Sequence, residues 1–380
     1  MAEEIFKKAS KMVKLFLGGD VMTGRGVDQI LPNPGSPAIH ESFLKSARDY
    51  VRLAEELHGP IPKPVNFSYI WGDALAALES LAPDVRMINL ETSVTRSDSF
   101  WEGKGIHYRM SPENIGCLTA ARIDICSLAN NHVLDWGYRG LMETLETLKK
   151  ANINSAGAGQ NLKEAEAPAA VEMKNQGRVL VFSWGVGTSG IPLDWGASRN
   201  KPGVNLLPDF SRQTVHLIQK KIQARKNAGD LAVASIHWGG NWGYEVSPGQ
   251  RSLAHGLIEE AGVDVIHGHS SHHLKGIEVY REKLILYGCG DLINDYEGIG
   301  GYEWFRSDLA LMYFAGLDPS TGRLIHLQMT PMQMRNFRLN RVSRPDAQWL
   351  RDTLCREGEK FGTRVKLNHD NTLTLEWSKP

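Results

Sequence analysis

The segment GHSSHH holds three histidines within five positions, His269, His272 and His273. The residues before it, GVDVIHG, form an apolar run that ends in glycine, which predicts a buried strand leading into a tight loop. Neutral imidazole nitrogens bind borderline metals, and a sheet holds such a loop in place. The segment therefore predicts metal ligands at the end of a strand in an α/β fold.

The same pattern, an apolar run that ends in a polar side chain, occurs four more times along the chain. These ends carry Asp20 in GGDVMTGR, Glu91 in INLET, Asn131 and His132 in ANNHV, and His237 in SIHWGG. Active sites of α/β proteins gather at the carboxyl ends of strands, so we expect these side chains to meet. Such nitrogen and oxygen donors suit Zn, Mn, Fe or a two-metal site rather than a thiolate cage.

Single residues at these ends also allow simpler interpretations. Asp20 after two glycines is ordinary turn chemistry, and Arg25 is either a surface arginine or a clamp for an anionic group. Asp135 is interpreted as the cap of the helix that follows it. Cys289 in YGCGD is interpreted as a small buried residue rather than a nucleophile.

Composition excludes several classes of protein. The chain has 380 residues, 42% of them apolar, and equal numbers of basic and acidic residues, 43 each. A bulk basic field for nucleic acid is therefore absent, and no apolar run is long enough to span a bilayer. Val13–Leu17 follows several lysines but is too short for a signal core, so we interpret it as the first strand. Four cysteines without CxxC spacing indicate a reducing, cytoplasmic compartment.

Strand-like runs alternate with helical patterns through most of the chain, which predicts an α/β architecture. The predicted strands are Lys14–Gly18, Val85–Leu90, Asp124–Leu128, Asn152–Ala156, Val179–Trp184, Leu231–His237, Val263–His267 and Lys283–Tyr287. The predicted helices are Glu41–Leu57, Trp71–Leu81, Gly137–Ala151, Asp209–Asn227, Pro248–Ala261 and Asp346–Gly358. A proline-rich insertion at about 30–66 interrupts this alternation and is interpreted as a lid, and antiparallel patterns begin at about 308. We expect one domain over 1–380.

Several segments, in order and with sensible spacing, resemble the CapA family, whose founding members support poly-γ-glutamate capsule synthesis. They are GDVMTGR, INLET, ANNHVLDWGYRGLMETLETL, GAGQNLKEAEAPAAVE, HWGGNWGYEVSPGQRSLAHGLIEEAGVDVIHGHSSHHLKGIEVY and LYGCGDLINDY. The match runs from about Lys14 to Asp295. The family is similar to the calcineurin-like metallophosphoesterases. The resemblance implies a four-layer α/β/β/α sandwich of two mixed sheets, with one or two divalent ions at their carboxyl edge.

The resemblance also implies roles for single residues. Metal ligands are implied at Asp20, Glu91 (as the bridging carboxylate), Asn131, His237, His269 and His272. His132 is implied as the adjacent acid–base residue. The phosphoesterases have a histidine two residues after the first aspartate, where this chain has Met22, a poor ligand for such metals.

From the residues and the resemblance together, we expect a metal-dependent enzyme that acts on a peptide or poly-γ-glutamate-type amide. His132 is expected to move a proton, and Arg25 to hold a substrate carboxylate. The alternatives are a metallophosphoesterase, a metal-assisted peptide epimerase and a non-catalytic subunit of a polymer-synthesis assembly. The expected partner is a peptide or polyglutamate-like substrate, with no nucleic acid and no membrane span. The oligomeric state is not predicted.

Overall fold

A computed structural model describes residues 12–173 and 177–378. The lysine-bearing segment before Met12 lies outside the described residues. The strands are β1 Val13–Val21, β2 Val85–Leu90, β3 Ser93–Val94, β4 Arg109–Met110, β5 Ile125–Ser127, β6 Asn154–Ala156, β7 Ala158–Gly159, β8 Ala169–Glu172, β9 Arg178–Val186, β10 Gly203–Val204, β11 Leu206–Leu207, β12 Leu231–His237, β13 Val265–His269, β14 Ile277–Tyr280, β15 Lys283–Leu286, β16 Asp291–Ile293, β17 Leu309–Leu317, β18 Leu324–Arg335, β19 Arg338–Arg341, β20 Thr363–Leu367 and β21 Leu373–Trp377.

Helices occupy many of the connections between these strands. They are α1 Arg25–Ile30, α2 Ala47–His58, α3 Ala74–Leu81, α4 Gly116–Ala120, α5 Gly137–Lys150, α6 Leu162–Ala165, α7 Arg212–Gln223, α8 Pro248–Glu259 and α9 Arg344–Gly358. Short 3-10 turns lie at Tyr69–Trp71, Pro112–Asn114, Gly187–Ser189, Leu193–Trp195, Glu303–Phe305 and Glu359–Phe361. This alternation confirms the predicted α/β class.

The larger sheet has the strand order β20-β21-β18-β17-β1-β2-β5-β6, and β16 pairs with β1 while β19 pairs with β18. Strands β1, β2, β5 and β6 run parallel, whereas β17 is antiparallel to β1. The antiparallel pattern that begins at about 308 in the sequence therefore widens this sheet directly. The carboxyl ends of β1, β2 and β5 consequently lie at one edge.

The second sheet has the order β11-β9-β12-β13-β15-β14, with β8 paired to β9. Its central strands β9, β12, β13 and β15 are parallel. Strand β13 ends at His269, two residues later than the sequence predicted, so His269 belongs to the strand itself. Its neighbour β12 ends at His237, as predicted.

The two sheets share one apolar core. It combines residues of the larger sheet, such as Leu15 and Met87, with Val181, Val233 and Val265 of the second. Burial of this many aliphatic side chains between the sheets is the dominant favourable contribution to their packing. Two side-chain contacts join the sheets near the carboxyl edge, from Ser127 to Ser183 and from His267 to the Gly18 carbonyl.

Each sheet also carries a separate core on its other face. On the larger sheet, Phe16 and Ile88 share a buried cluster with residues of α2, α3 and α5, including Val51. On the second sheet, Phe182 shares a cluster with Val215 of α7 and with residues of α8. Helices thus pack against the face of each sheet that points away from the other sheet.

Local sequence explains where two of these helices begin. Helix α2, in the proline-rich insertion, starts at Ala47 because the Ser46 side chain accepts a hydrogen bond from the Arg48 amide. Helix α8 starts with a capping box, in which Ser247 and Gln250 satisfy each other's backbone amides. Across the described ranges, no helix combines the length and apolar character needed to cross a bilayer.

Candidate metal centre

The polar strand ends of the two sheets meet at one place. Asp20 near the end of β1 lies in register with Asn89 of β2 and with Asp291 of β16. The Asp20 amide donates to the Gly290 carbonyl at 3.0 Å. A Cβ on Gly19 would lie 1.8 Å from that carbonyl oxygen, so this close approach of two chain segments requires glycine.

One group of candidate metal ligands joins the two sheets. Asp20, His237 and His269 are fully or almost fully buried, and one ligand atom from each lies within 4.8 Å of the others. The Nδ1 atoms of the two imidazoles face each other at 2.8 Å. His269 Nδ1 lies 3.8 Å from Asp20 Oδ1, while its Nε2 is hydrogen-bonded to the Ser235 hydroxyl at 2.9 Å.

A second group shares the same aspartate. Asp20, His272 and Asp291 also offer ligand atoms within 4.8 Å of one another. His272 Nδ1 lies 2.9 Å from Asp291 Oδ1, and Asn294 donates to the other oxygen of that carboxylate at 3.0 Å. Asp20 thus belongs to two adjacent groups, so its carboxylate would be available to each of two ions if both groups held one.

The remaining two predicted ligands lie at the edge of the first group. The side-chain oxygen of Asn131 is 3.0 Å from His237 Nε2. Glu91 Oε1 is 3.9 Å from the same nitrogen, and Asn89 donates to both Glu91 and Asp20. The structure therefore brings all six predicted ligands to one site, although Asp20 rather than Glu91 is shared by the two groups.

His132 forms a buried triad beside this site. Its Nδ1 lies 2.6 Å from the Asp135 carboxylate and 2.9 Å from Lys104 Nζ, and Lys104 also contacts Asp135. When Nδ1 donates to Asp135, the lone pair of the neutral ring is on Nε2, 3.8 Å from Glu91 Oε1. Asp135 also accepts from the Tyr108 amide and therefore orients His132 rather than capping the helix as predicted.

The carboxylates at the site are hard to ionise together. Burial, reinforced by the nearby Asp291 charge, raises the pKa of Asp20 to about 7. Burial and the charges of Asp20 and Asp291 raise the pKa of Glu91 well above its ordinary value. Like charges in a buried site oppose each other's ionisation, and a bound cation removes this penalty.

The imidazoles are mostly held neutral, as metal binding needs. Burial lowers the pKa of His132 to about 4 and takes the pKa values of His237 and His269 well below the ordinary value. Burial opposes protonation of His272 too, but the Asp291 carboxylate outweighs it and raises the His272 pKa. Buried carboxylates beside neutral imidazoles form the donor set that a divalent cation binds, so the residues present fit such an ion.

Arg25 has a different environment from the one expected. It is 3% exposed, and all five of its N–H groups donate to protein atoms. Two go to Asp295, one to Glu41 at 2.9 Å, and one each to the hydroxyls of Tyr50 and Tyr108. Because these bonds use the whole guanidinium, Arg25 joins chain segments and does not clamp a substrate carboxylate in this arrangement.

Sequence reasoning did not identify Asp291 as a site residue. The signal that could have found it is CGDLI, where an aspartate follows a glycine next to an apolar run, as Asp20 does in GGDVM. His273, in contrast, shared the histidine-rich segment but faces away, with its ring stacked on Phe305 at 4.4 Å between centroids. Cys289 is buried, as predicted.

Fold and site together define an α/β protein with buried aspartate and histidine groups at the joined edge of two sheets. Residues 14–296 match the model of a family described as bacterial capsule synthesis protein PGA_cap, and the chain belongs to this family. A probable polyglutamine synthesis accessory protein of Mycobacterium tuberculosis is 50% identical over 96% of both chains. The capsule biosynthesis protein CapA of Bacillus anthracis is 25% identical over 83% of this chain and 67% of its own length. The PGA biosynthesis protein CapA of Bacillus subtilis is 26% identical over 94% of this chain and 80% of its own length.

Proposed function

We propose that this protein is a metal-dependent enzyme that acts on a peptide-type or γ-glutamyl-type amide. The observation that carries the proposal is the sharing of Asp20 between the group with His237 and His269 and the group with His272 and Asp291. Four further buried donors around this one carboxylate provide positions for one or two Mn, Zn or Fe ions. Asp291 supplies a carboxylate donor beside His272, whereas Met22 is a poor ligand for such ions.

We extend the proposal to the fold. The core between the two sheets and the helix-covered cores on their other faces support the four-layer sandwich of the metallophosphoesterases. In that fold, sites at the carboxyl edge draw ligands from both sheets. Here the larger sheet supplies Asp20 and the second sheet supplies His237 and His269.

The residues of the chain would divide the chemistry between them. A bound divalent ion polarises a carbonyl oxygen and lowers the pKa of a bound water. His132, neutral at physiological pH, accepts a proton at Nε2 while Asp135 holds its ring through Nδ1. Lys104, buried against both side chains, stabilises the Asp135 carboxylate and supplies a proton donor near His132.

This pairing of a neutral base with a buried ammonium also supports a second candidate, metal-assisted epimerisation of a peptide. In that reaction His132 would remove a Cα proton, and Lys104, 2.9 Å from His132 Nδ1, would be the candidate donor of the returning proton. The two reactions can be distinguished experimentally, because epimerisation in heavy water incorporates deuterium into the peptide without cleaving it. A role in polyglutamate synthesis, as the names of the relatives suggest, and a cytoplasmic location stay predictions.

The test measures metal content and turnover in protein purified without chelators. We expect His237→Ala and His272→Ala each to lower metal content and to abolish metal-dependent conversion of a peptide library followed by mass spectrometry. His273→Ala is the matched control, because His273 is adjacent to His272, equally a histidine, and outside both ligand groups. It should keep the metal content of the parent protein.

Two results would refute the proposal. One is equal metal content in the His272→Ala and His273→Ala proteins. The other is conversion by chelator-treated protein at the same rate as by metal-loaded protein. The latter would assign the conversion to groups other than a bound ion.

A further inference from the structure

A cavity of about 500 Å³ opens beside the candidate metal centre. Its buried floor includes His272, which belongs to one of the ligand groups, together with Asn294 and Tyr108. A cavity of this size accommodates a small-molecule group or an amino-acid side chain. A substrate bound at the centre would therefore extend into it.

The mouth of this cavity is apolar. Four large apolar or aromatic side chains line it although they are solvent-exposed, and we call them the cleft mouth: Phe43, Leu57, Ile299 and Tyr302. Their exposed fractions range from 42% for Ile299 to 59% for Phe43. Two come from the proline-rich insertion and two from the segment after β16. Exposed apolar groups that converge from distant segments indicate a binding surface rather than scattered surface residues.

An aromatic stack extends this surface toward the metal centre. The rings of Trp242 and Tyr302 are parallel within 5°, with centroids 4.1 Å apart. Trp242 also lies 5.4 Å from the ring of His272, and the His272 amide donates to the carbonyl of the neighbouring Asn241 at 3.0 Å. The stack therefore connects the cleft mouth to a candidate ligand through a short chain of contacts.

The charges that line the cavity do not favour a polyanion. Two arginines, Arg25 and Arg306, face three carboxylates, Glu297, Glu303 and Asp308, which leaves a formal charge of −1 with histidines neutral. Arg306 is also paired with Asp308 through two hydrogen bonds of 2.8 and 2.9 Å.

All five N–H groups of Arg25 donate to protein side chains, two of them to the Asp295 carboxylate, as described above. Arg25 therefore has no N–H group left for a string of glutamate carboxylates, and Arg306 is already paired with Asp308 and Asp346. A net negative lining would instead repel such a string.

We propose that the cavity binds an apolar, preferentially aromatic, side chain of a peptide substrate whose amide reaches the metal centre. This inference rests on the proposed function and narrows its substrate class from peptide-type or γ-glutamyl-type amides to peptides with an apolar side chain. The lining favours an uncharged apolar side chain over a carboxylate, because it offers aromatic and aliphatic surface without an uncompensated cation. The proline-rich insertion, expected to be a lid, then forms one wall of the specificity pocket.

The experiment compares two ligands on manganese-loaded protein by isothermal titration calorimetry. One is the capped pentapeptide Ala-Ala-Phe-Ala-Ala, and the other is a γ-linked pentamer of glutamate. We expect the phenylalanine peptide to bind at least about tenfold more tightly, a discrimination that apolar pockets commonly reach. An all-alanine pentapeptide should bind as weakly as the glutamate pentamer.

Leu57→Glu should lower affinity for the phenylalanine peptide by about tenfold, because it places a carboxylate in the cleft mouth. Ile325→Glu is the matched control, since Ile325 is 46% exposed on β18 and does not line the cavity. Thermal melting of both variants checks that they remain folded. Equal or tighter binding of the glutamate pentamer, or unchanged affinity in Leu57→Glu, would overturn the inference.

Turnover is recorded separately, so that the two proposals fail in different ways. Protein that binds the phenylalanine peptide selectively but never converts a peptide overturns the proposed enzyme and leaves the pocket assignment standing. Protein that converts γ-glutamyl chains in a metal-dependent way and ignores the phenylalanine peptide supports the enzyme and overturns the pocket assignment.

Discussion

The candidate metal centre and the cleft mouth lie beside each other but are built in opposite ways. The centre uses buried polar side chains such as Asp20, His237 and His269, which lie at strand ends and are fixed by the register of two sheets. The cleft mouth uses exposed apolar side chains on the insertion and on the segment after β16. Under the two proposals, the sheets would fix where the chemistry occurs, and the connecting segments would select what is bound.

Arg25 lines the cavity beside the candidate metal centre, and its removal should have the largest effect. Arg25→Ala leaves the buried carboxylates of Glu41 and Asp295 without a cation, so we expect a loss of about 3–5 kcal/mol in the free energy of unfolding. Urea denaturation measures this loss. Arg52→Ala is the control, because the Arg52 side chain is 64% exposed and its ion pair with Asp49 should contribute at most about 1 kcal/mol. Similar small losses in both variants would contradict a structural role for Arg25.

The second prediction concerns pH and the metal-free centre. The pKa of Asp20 is raised from 3.8 to about 7, so between these values Asp20 loses its proton in the unfolded chain but keeps it in the folded chain. Asp20 therefore reduces stability progressively as pH rises from 4 to 7. In chelator-treated protein, Asp20→Asn should gain stability over the parent by about 4 kcal/mol across this range, since one pKa unit corresponds to about 1.4 kcal/mol.

The measurement for this prediction is the difference in unfolding free energy between variant and parent at several pH values. The buried histidines with lowered pKa values make the free energy of unfolding rise with pH, which opposes the effect of Asp20. This contribution is present in both proteins, so subtracting the parent from the variant removes most of it. Asp352→Asn, at an exposed position on α9, should show a flat difference. A flat difference for Asp20→Asn as well would mean that Asp20 ionises without penalty.

The smallest effect is expected at the cleft mouth. Tyr302→Ala removes the ring stacked on Trp242 and should weaken binding of the phenylalanine pentapeptide by about 0.5–1.5 kcal/mol, measured by calorimetry. Trp304→Ala is a suitable comparison, because Trp304 is 75% exposed and does not line the cavity. An equal effect of both substitutions would show that general surface hydrophobicity, rather than the stack, holds the peptide.

The regular parts of this fold could be predicted from local sequence. Val85–Leu90 and Leu231–His237 are predicted with the bounds that the structure has, because each is a largely apolar run closed by a polar residue. Glu91 follows the first run directly, and His237 ends the second. The predicted ligands came from the same pattern, and the structure brings them together, since parallel strands present their carboxyl ends at one edge. Their role as ligands stays a prediction.

Features that depend on distant pairing were not accessible. Asp291 joins the site because β16 pairs in parallel with β1, some 270 residues earlier in the chain. Arg25 becomes structural because its partners at positions 41 and 295 approach from separate segments. Nothing in the sequence near Arg25 distinguishes these contacts from a substrate clamp, and only tertiary packing resolves the two interpretations.

The most direct test is anomalous X-ray scattering from a crystal soaked in manganese. If the strand ends form a metal site around Asp20, anomalous density should lie in contact with its carboxylate. We expect one position beside His237 and His269 and a second beside His272 and Asp291. Absence of density at both positions, with manganese bound only at surface carboxylates, would contradict the proposal that these residues bind metal.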